Sequence, residues 1–251
     1  MQTPKMILFD YGHTLCYEAS ADFLRGERAV FEHVTANPHG VTPEEACALG
    51  TKLFSEAEHV RRSGYEVHEW PLLRLKYESL GLRFDLPLEE LEIVLADAAS
   101  PDAVMPGAED MLANLRRLGI RTGVISNIGW SGNALSARLR RMFPGHAFEF
   151  ILASSEYALR KPSPLLFRVA LERAGLSASE VWCVGDSISA DVTGAQNAGL
   201  FPVLYADDSI PNPWAKKDAG LTANCLTIRR WAELADLLAK GADSPCPTKH
   251  G

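Results

Sequence analysis

Five short apolar runs constrain this chain more than any other feature of its sequence. Residues 6–9, 122–126, 148–153, 181–184 and 201–205 are rich in Val, Ile, Leu and Phe and do not alternate with polar residues. A strand buried on one face alternates, whereas a strand covered on both faces does not, so these runs predict central strands of a parallel sheet. Helical patterns lie between them. The pattern over 108–118 ends at Gly119 and that over 164–174 ends at Gly175, and Ser163-Pro164 supplies a capping hydroxyl and a proline suited to a first turn. Strand and helix alternate from about Met105 onward, which predicts an α/β fold: a Rossmann-like parallel-sheet core with helices on both faces.

Residues 17–99 interrupt that alternation with helix-forming sequence over 21–36, 43–64, 68–80 and 88–98 and no clear strand. Because the first strand precedes this segment and the second follows it, it is expected to be an insertion folding as an all-helical cap. The core is then 1–16 with 100–240, and the Gly-, Pro- and Ser-rich tail 241–251 is expected to fray.

Hydrophobic residues are 47% and charged residues 23% of the 251, the balance of a folded globular protein. A net charge of −7 offers no basic footprint for a phosphate backbone, so nucleic acid is not an expected partner, while small anionic substrates remain open. The apolar run at 6–9 is too short for a signal segment or a membrane span, and the expectation is a cytoplasmic protein without membrane association. Cys16, Cys47, Cys183, Cys225 and Cys246 form no Cys-x-x-Cys pair and read as reduced thiols.

A parallel sheet builds its site where strands end at their carboxyl edge. The first run ends in Asp10, the second in Ser126-Asn127 and the fourth in Gly185-Asp186-Ser187, with Asp191 following. Arg160-Lys161 lies after the third. These strand ends would gather carboxylates, a hydroxyl and an ammonium in one crevice. That inventory suits phosphoryl transfer through a covalent intermediate: a carboxylate attacks phosphorus only where anionic repulsion is offset, which Mg²⁺ and a lysine do together. Asp10 and Asp186 are the oxygen ligands such an ion prefers, Lys161 the electrostatic partner, and Ser126 a donor to a phosphoryl oxygen.

Four segments, Phe9-Asp10-Tyr11-Gly12-His13-Thr14-Leu15, Ser126-Asn127, Lys161-Pro162-Ser163-Pro164 and Gly185-Asp186-Ser187-Ile188-Ser189-Ala190-Asp191, resemble in order the motifs of the haloacid dehalogenase superfamily. The insertion sits where that family carries a helical cap. The resemblance implies Asp10 as nucleophile and metal ligand, Gly12 as a ligand through its carbonyl, Asp186 as the second carboxylate ligand, and Asp191 as an acid orienting the metal site directly or through water. It also implies Thr14 as a hydroxyl support for the first loop, and Ser126, Asn127 and Lys161 as substrate contacts.

Phosphatases of that family carry a second aspartate two residues after the nucleophile, as acid and base; here that position is Gly12, which cannot move a proton. His13, with an ordinary pKa of about 6.5, is the neighbouring candidate. Three activities stay open: a small-molecule phosphatase, a phosphonatase-like enzyme using Lys52 or Lys76, and a dehalogenase. A degenerate protein that binds metal and phosphate without turnover is a fourth reading. His59, Arg61 and Arg62 read as a solvated helix face, and Tyr65, Trp70 and Tyr77 as packing.

Overall fold

The computed structural model describes residues 3–18, 21–212 and 224–242. The tail expected to fray lies, from residue 243 on, outside the described residues, as does Cys246.

The main sheet has six strands: β1 (Met6–Phe9), β6 (Arg121–Ser126), β7 (Ile151–Ala153), β8 (Val181–Gly185), β9 (Phe201–Tyr205) and β10 (Leu226–Ile228). Their spatial order is β10-β9-β8-β1-β6-β7 and all pairings are parallel. β1 is central, with Met6 opposite both Arg121 and Val181. Its side chains divide as the apolar run predicts. Ile7 and Phe9 pack with Met111, Leu115, Leu135 and Trp231 on one face, while Met6 and Leu8 pack with Phe167 and Ala170 on the other.

The covering helices are α5 (Ala108–Arg117), α6 (Gly132–Met142) and α9 (Trp231–Ala242) on the first face, and α7 (Pro164–Ala174) and α8 (Thr193–Asn197) on the second. α7 begins at the Ser163 cap and ends at Gly175, whose φ of 63° is the left-handed conformation that lets the last turn close. β10, α6, α8 and α9 are additions to the expected elements. Trp231 on α9 stacks on Tyr205 at 4.2 Å and meets Phe9 edge-on at 5.7 Å, so the C-terminal helix seals the sheet.

Between β1 and β6 lie α1 (Phe23–Phe31), α2 (Pro43–Arg62), α3 (Glu69–Ser79) and α4 (Leu88–Ala99). α2 starts with a capping box in which the Glu45 amide donates to Thr42 Oγ1 at 3.2 Å and the Thr42 amide to Glu45 Oε2 at 2.8 Å. Val30, Leu73, Tyr77, Leu91 and Leu95 give the segment its own apolar centre.

It is not purely helical. The helix expected over 21–36 stops at Phe31, and β3 (Val34–Ala36) pairs antiparallel with β4 (Arg83–Phe84). Val34 and Thr35 are β-branched and favour the extended form, and the Asp85 amide donates to the His33 carbonyl at 3.0 Å beside them. β2 (Cys16–Glu18) and β5 (Asp102–Val104) zip the two crossings between the segment and the main sheet. On the far side Glu92 of α4 accepts from the Ser131 amide at 2.8 Å and from Trp70 Nε1 at 2.7 Å, binding the segment to the start of α6. Among the described residues no helix is long and apolar enough to cross a membrane.

Candidate active site

Asp10 follows β1 with its amide bonded to the Val184 carbonyl at 2.9 Å, so the ladder itself aims it at the carboxyl edge. Ser126 closes β6 and Asp186 follows β8. Lys161 reaches this edge from the connection after β7. Its ammonium is buried and donates to Asp10 Oδ1 at 2.6 Å, Asp191 Oδ1 at 2.6 Å and the Ile125 carbonyl at 2.8 Å. All three donors of one lysine are thereby used. Burial alone would lower its pKa, but Asp10 and Asp191 outweigh that and hold it above the ordinary lysine range.

Asp10, Asp186 and Asp191 bring carboxylate oxygens within 4.8 Å of one another. One ammonium faces three carboxylates. Asp186 is consequently pushed up to about 8, by burial first and then by Asp10 and Asp191, and burial also raises Asp191. Three crowded oxygen donors with an excess of negative charge are the donor chemistry a hard divalent cation such as Mg²⁺ takes. The residues present fit the ion that the sequence motifs imply.

Contacts not evident in the sequence hold this geometry. Asn127 clamps the lysine's backbone, its Nδ2 donating to the Lys161 carbonyl at 3.0 Å and its Oδ1 accepting from the Lys161 amide at 2.7 Å. These bonds use one of the amide's two N–H groups and one of its acceptor sites, and Asn127 also lines the cleft. Asp191 also accepts from the Ser187 amide at 3.0 Å, and a Cβ on Gly185 would lie 2.2 Å from its carboxyl group, so glycine is required there. Asn212 donates to Asp186 Oδ2 at 2.7 Å. Asparagine in a loop is too common for either clamp to stand out beforehand.

The loop after Asp10 departs from expectation at Thr14. Its buried hydroxyl finds no hydrogen-bond partner among the described residues. The turn is already closed by backbone bonds, from the Leu15 and Cys16 amides to the Tyr11 carbonyl at 3.0 and 3.1 Å and from the His13 amide to the Cys16 carbonyl at 2.6 Å. The hydroxyl is left with no loop to support.

A Cβ on Gly12 would meet nothing within 4 Å, so no packing demands glycine there. His13 adopts a φ of 52°, a left-handed conformation uncommon for a residue with a side chain. Its Nε2 is buried without a hydrogen-bond partner among the described residues. Burial lowers its pKa, against the pull of Glu18 and Asp10, so the ring is neutral at pH 7.

These residues open into a cleft of about 1470 Å³ between the sheet edge and the inserted helices. Arg61 belongs to its wall and is not on a solvated face as its helical position suggested. It is 8% exposed and bonds through Nε to Glu66 Oε1 at 2.9 Å and through Nη2 to Glu69 Oε1 at 3.1 Å. Glu66 in turn accepts from Ser154 Oγ at 2.7 Å and pairs with Arg160, next to Lys161. The inserted segment is thus tied to the loop that carries the lysine. Lys76 lines the cleft but its ammonium is paired with Glu27, and Lys52 is exposed on α2.

A Rossmann-like sheet whose carboxyl edge joins crowded acids to a buried lysine defines the class: an α/β protein with an acidic, lysine-held site at the strand ends. The chain belongs to the haloacid dehalogenase-like hydrolases, whose family model matches residues 4–199. A glyceraldehyde 3-phosphate phosphatase of Methanothermobacter thermautotrophicus is 28% identical over 203 residues, 80% of this chain and 84% of that protein. A protein of the same description from Pyrococcus abyssi is 33% identical over 103 residues, 40% of this chain and 42% of that relative's length. The crystal structure of a HAD phosphatase from Thermococcus onnurineus superposes with a TM-score of 0.60 at 24% identity, covering 95% of this chain and 98% of that one, a likeness of fold.

Proposed function

We propose that the protein is a Mg²⁺-dependent phosphatase acting on small phosphorylated molecules through an aspartyl-phosphate at Asp10, with residues 1–16 and 100–240 as catalytic core and 17–99 as cap. The observation that carries this reading is the buried Lys161 ammonium shared between Asp10 and Asp191, with Asp186 crowded beside them. Asp10, the Gly12 carbonyl and Asp186 would hold the ion, with Asp191 orienting the site. When bound, Mg²⁺ supplies positive charge that offsets repulsion between the carboxylate and the phosphoryl oxygens.

In the first half-reaction an Asp10 oxygen forms a bond to phosphorus as the ester oxygen–phosphorus bond breaks, and the leaving oxygen keeps the electron pair. Lys161 holds the Asp10 carboxylate in line through Oδ1, and Ser126, at the end of β6, donates to a phosphoryl oxygen. In the second half-reaction water attacks phosphorus, the Asp10–phosphorus bond breaks, and phosphate leaves. His13 suits this step better than the first, because a neutral imidazole accepts the proton of the attacking water at its bare nitrogen, while its remaining N–H is a far weaker acid than a carboxylic acid or imidazolium for a leaving alkoxide. Substrates whose leaving group needs no proton, such as aryl and acyl phosphates, should therefore turn over best.

The test combines 4-nitrophenyl phosphate turnover with mass spectrometry of the intact chain. Turnover lost in EDTA and in Asp10→Asn, with a phosphoryl adduct on Asp10 of the wild type, is the expected result. Full activity in EDTA, or in Asp10→Asn, would overturn the reading.

A further inference from the structure

The cleft runs without interruption from Asp10 and Lys161 to residues deep among the inserted helices. At about 1470 Å³ it exceeds the ~300–1,000 Å³ that commonly encloses a drug-sized ligand. A three-carbon phosphate of the kind named for the archaeal relatives would fill little of it.

Part of the cleft wall is apolar. Phe23, Phe54, Leu72, Leu73 and Trp130 line it. Phe23 and Phe54 are 46% and 43% exposed and touch as a tilted pair, with ring centroids 6.4 Å apart and planes inclined at 38°. Two large aromatic side chains left open to water side by side cost hydration free energy, and on a concave wall they mark a surface that a ligand covers. The Arg61 guanidinium lies over the Phe54 ring at 4.1 Å and fixes its plane from behind.

Another part of the wall is polar. Glu27 pairs with Lys76 and accepts from Tyr77 Oη at 3.2 Å, all three side chains being buried. Gly50, inside α2, is where the helix approaches this pair; a Cβ there would stand 3.5 Å from Lys76 Nζ. A glycine within a helix costs roughly 1 kcal/mol, so the close passage of α2 beside the ammonium is maintained against propensity.

We infer that this chamber receives the leaving group of the substrate: an aromatic or otherwise apolar body that lies against Phe23 and Phe54, with a hydrogen-bonding group at its end for the Glu27–Lys76 pair. This rests on the phosphatase reading and narrows it to phosphate monoesters of bulky, mainly apolar hydroxyl compounds.

Phenyl phosphate and 4-benzylphenyl phosphate, which release phenols of similar acidity, isolate the chamber from leaving-group chemistry. The larger ester should show kcat/KM higher by ~10-fold or more, the scale that one added buried ring supplies. Phe54→Ala and, separately, Phe23→Ala should each shrink that ratio toward one; both residues are too exposed for folding to depend on them. Calorimetric titration of Asp10→Asn with 4-benzylphenol reads the chamber without turnover, and binding weakened by Phe54→Ala is expected. Equal kcat/KM for the two esters, or a ratio unmoved by both variants, would overturn the inference while leaving the phosphatase standing. Binding of the phenol with no turnover of any ester would do the reverse.

Discussion

Replacing Asp186 by asparagine should stabilise the metal-free protein, and by an amount that grows with pH. In the folded protein the Asp186 carboxyl is pushed from the ordinary 3.8 to about 8, by burial first and then by Asp10 and Asp191. Between those values the folded state holds a proton that the unfolded state has released. The folded state is the proton-richer one across this window, so its stability falls as pH rises through it. Each pH unit costs about 1.4 kcal/mol, so from pH 5 to pH 8 the full linkage is about 4 kcal/mol. Because Asp191 is raised by the same crowding and shares the proton, the expected figure is about 2–4 kcal/mol.

Asparagine keeps the shape and carries no charge. In urea denaturation with EDTA, Asp186→Asn should match the wild type most nearly at about pH 4, and its advantage should grow by about 2–4 kcal/mol between pH 5 and pH 8. Adding Mg²⁺ at pH 8 should stabilise the wild type and not the variant, because the ion takes up the excess charge that the proton took up in its absence. A variant no more stable than wild type at pH 8 in EDTA, or an advantage that does not change with pH, would refute the argument that carboxylate crowding shapes this site.

Other outcomes follow from single contacts. Gly12→Asp has room at its Cβ, and should raise turnover of alkyl phosphates by roughly 10²–10⁴-fold while changing aryl phosphate turnover far less, measured as the ratio of the two rates. Lys161→Met should abolish turnover and lower stability in EDTA by about 3 kcal/mol or more, because Asp10 and Asp191 lose the buried cation between them; a stable, active variant would refute the role of the ammonium. Thr14→Val should stabilise by about 1 kcal/mol in thermal melts, since it removes a buried hydroxyl that bonds to nothing described. Glu66→Ala should cost about 3 kcal/mol and raise protease sensitivity in the inserted segment, because Arg61 and Arg160 both lose a carboxylate that is fully buried.

The parts of this fold legible in the sequence are those whose cause is local. The runs around β1, β6, β8 and β9 are apolar because both sheet faces are covered, and that condition leaves its mark residue by residue. Asp10, Ser126 and Asp186 could be found because a parallel sheet puts its chemistry at strand ends. What escaped has causes distant in sequence. β3 and β10 span three residues each, too few for a period to register. Arg61 sits at a position that looks solvated along α2, and its burial comes from Glu66 and Glu69 beyond the helix end, Glu66 being held in turn by Arg160, 94 positions away. Asn127 and Lys161 are likewise 34 positions apart when they clamp.

Gly12 joins the two kinds of information. The sequence exposes the missing acid, and only the structure shows that nothing crowds the place where it would stand. Packing therefore does not account for its loss, and a buried His13 held neutral at pH 7 does not replace it as a donor. The same loop keeps Asp10 on Lys161, so the capacity to form the phosphoenzyme is separable from the capacity to protonate what leaves. An enzyme so built favours leaving groups that depart unaided, and stabilised phenolic or enolic oxygens carry the flat apolar bodies that would lie against Phe23 and Phe54 on the cleft wall.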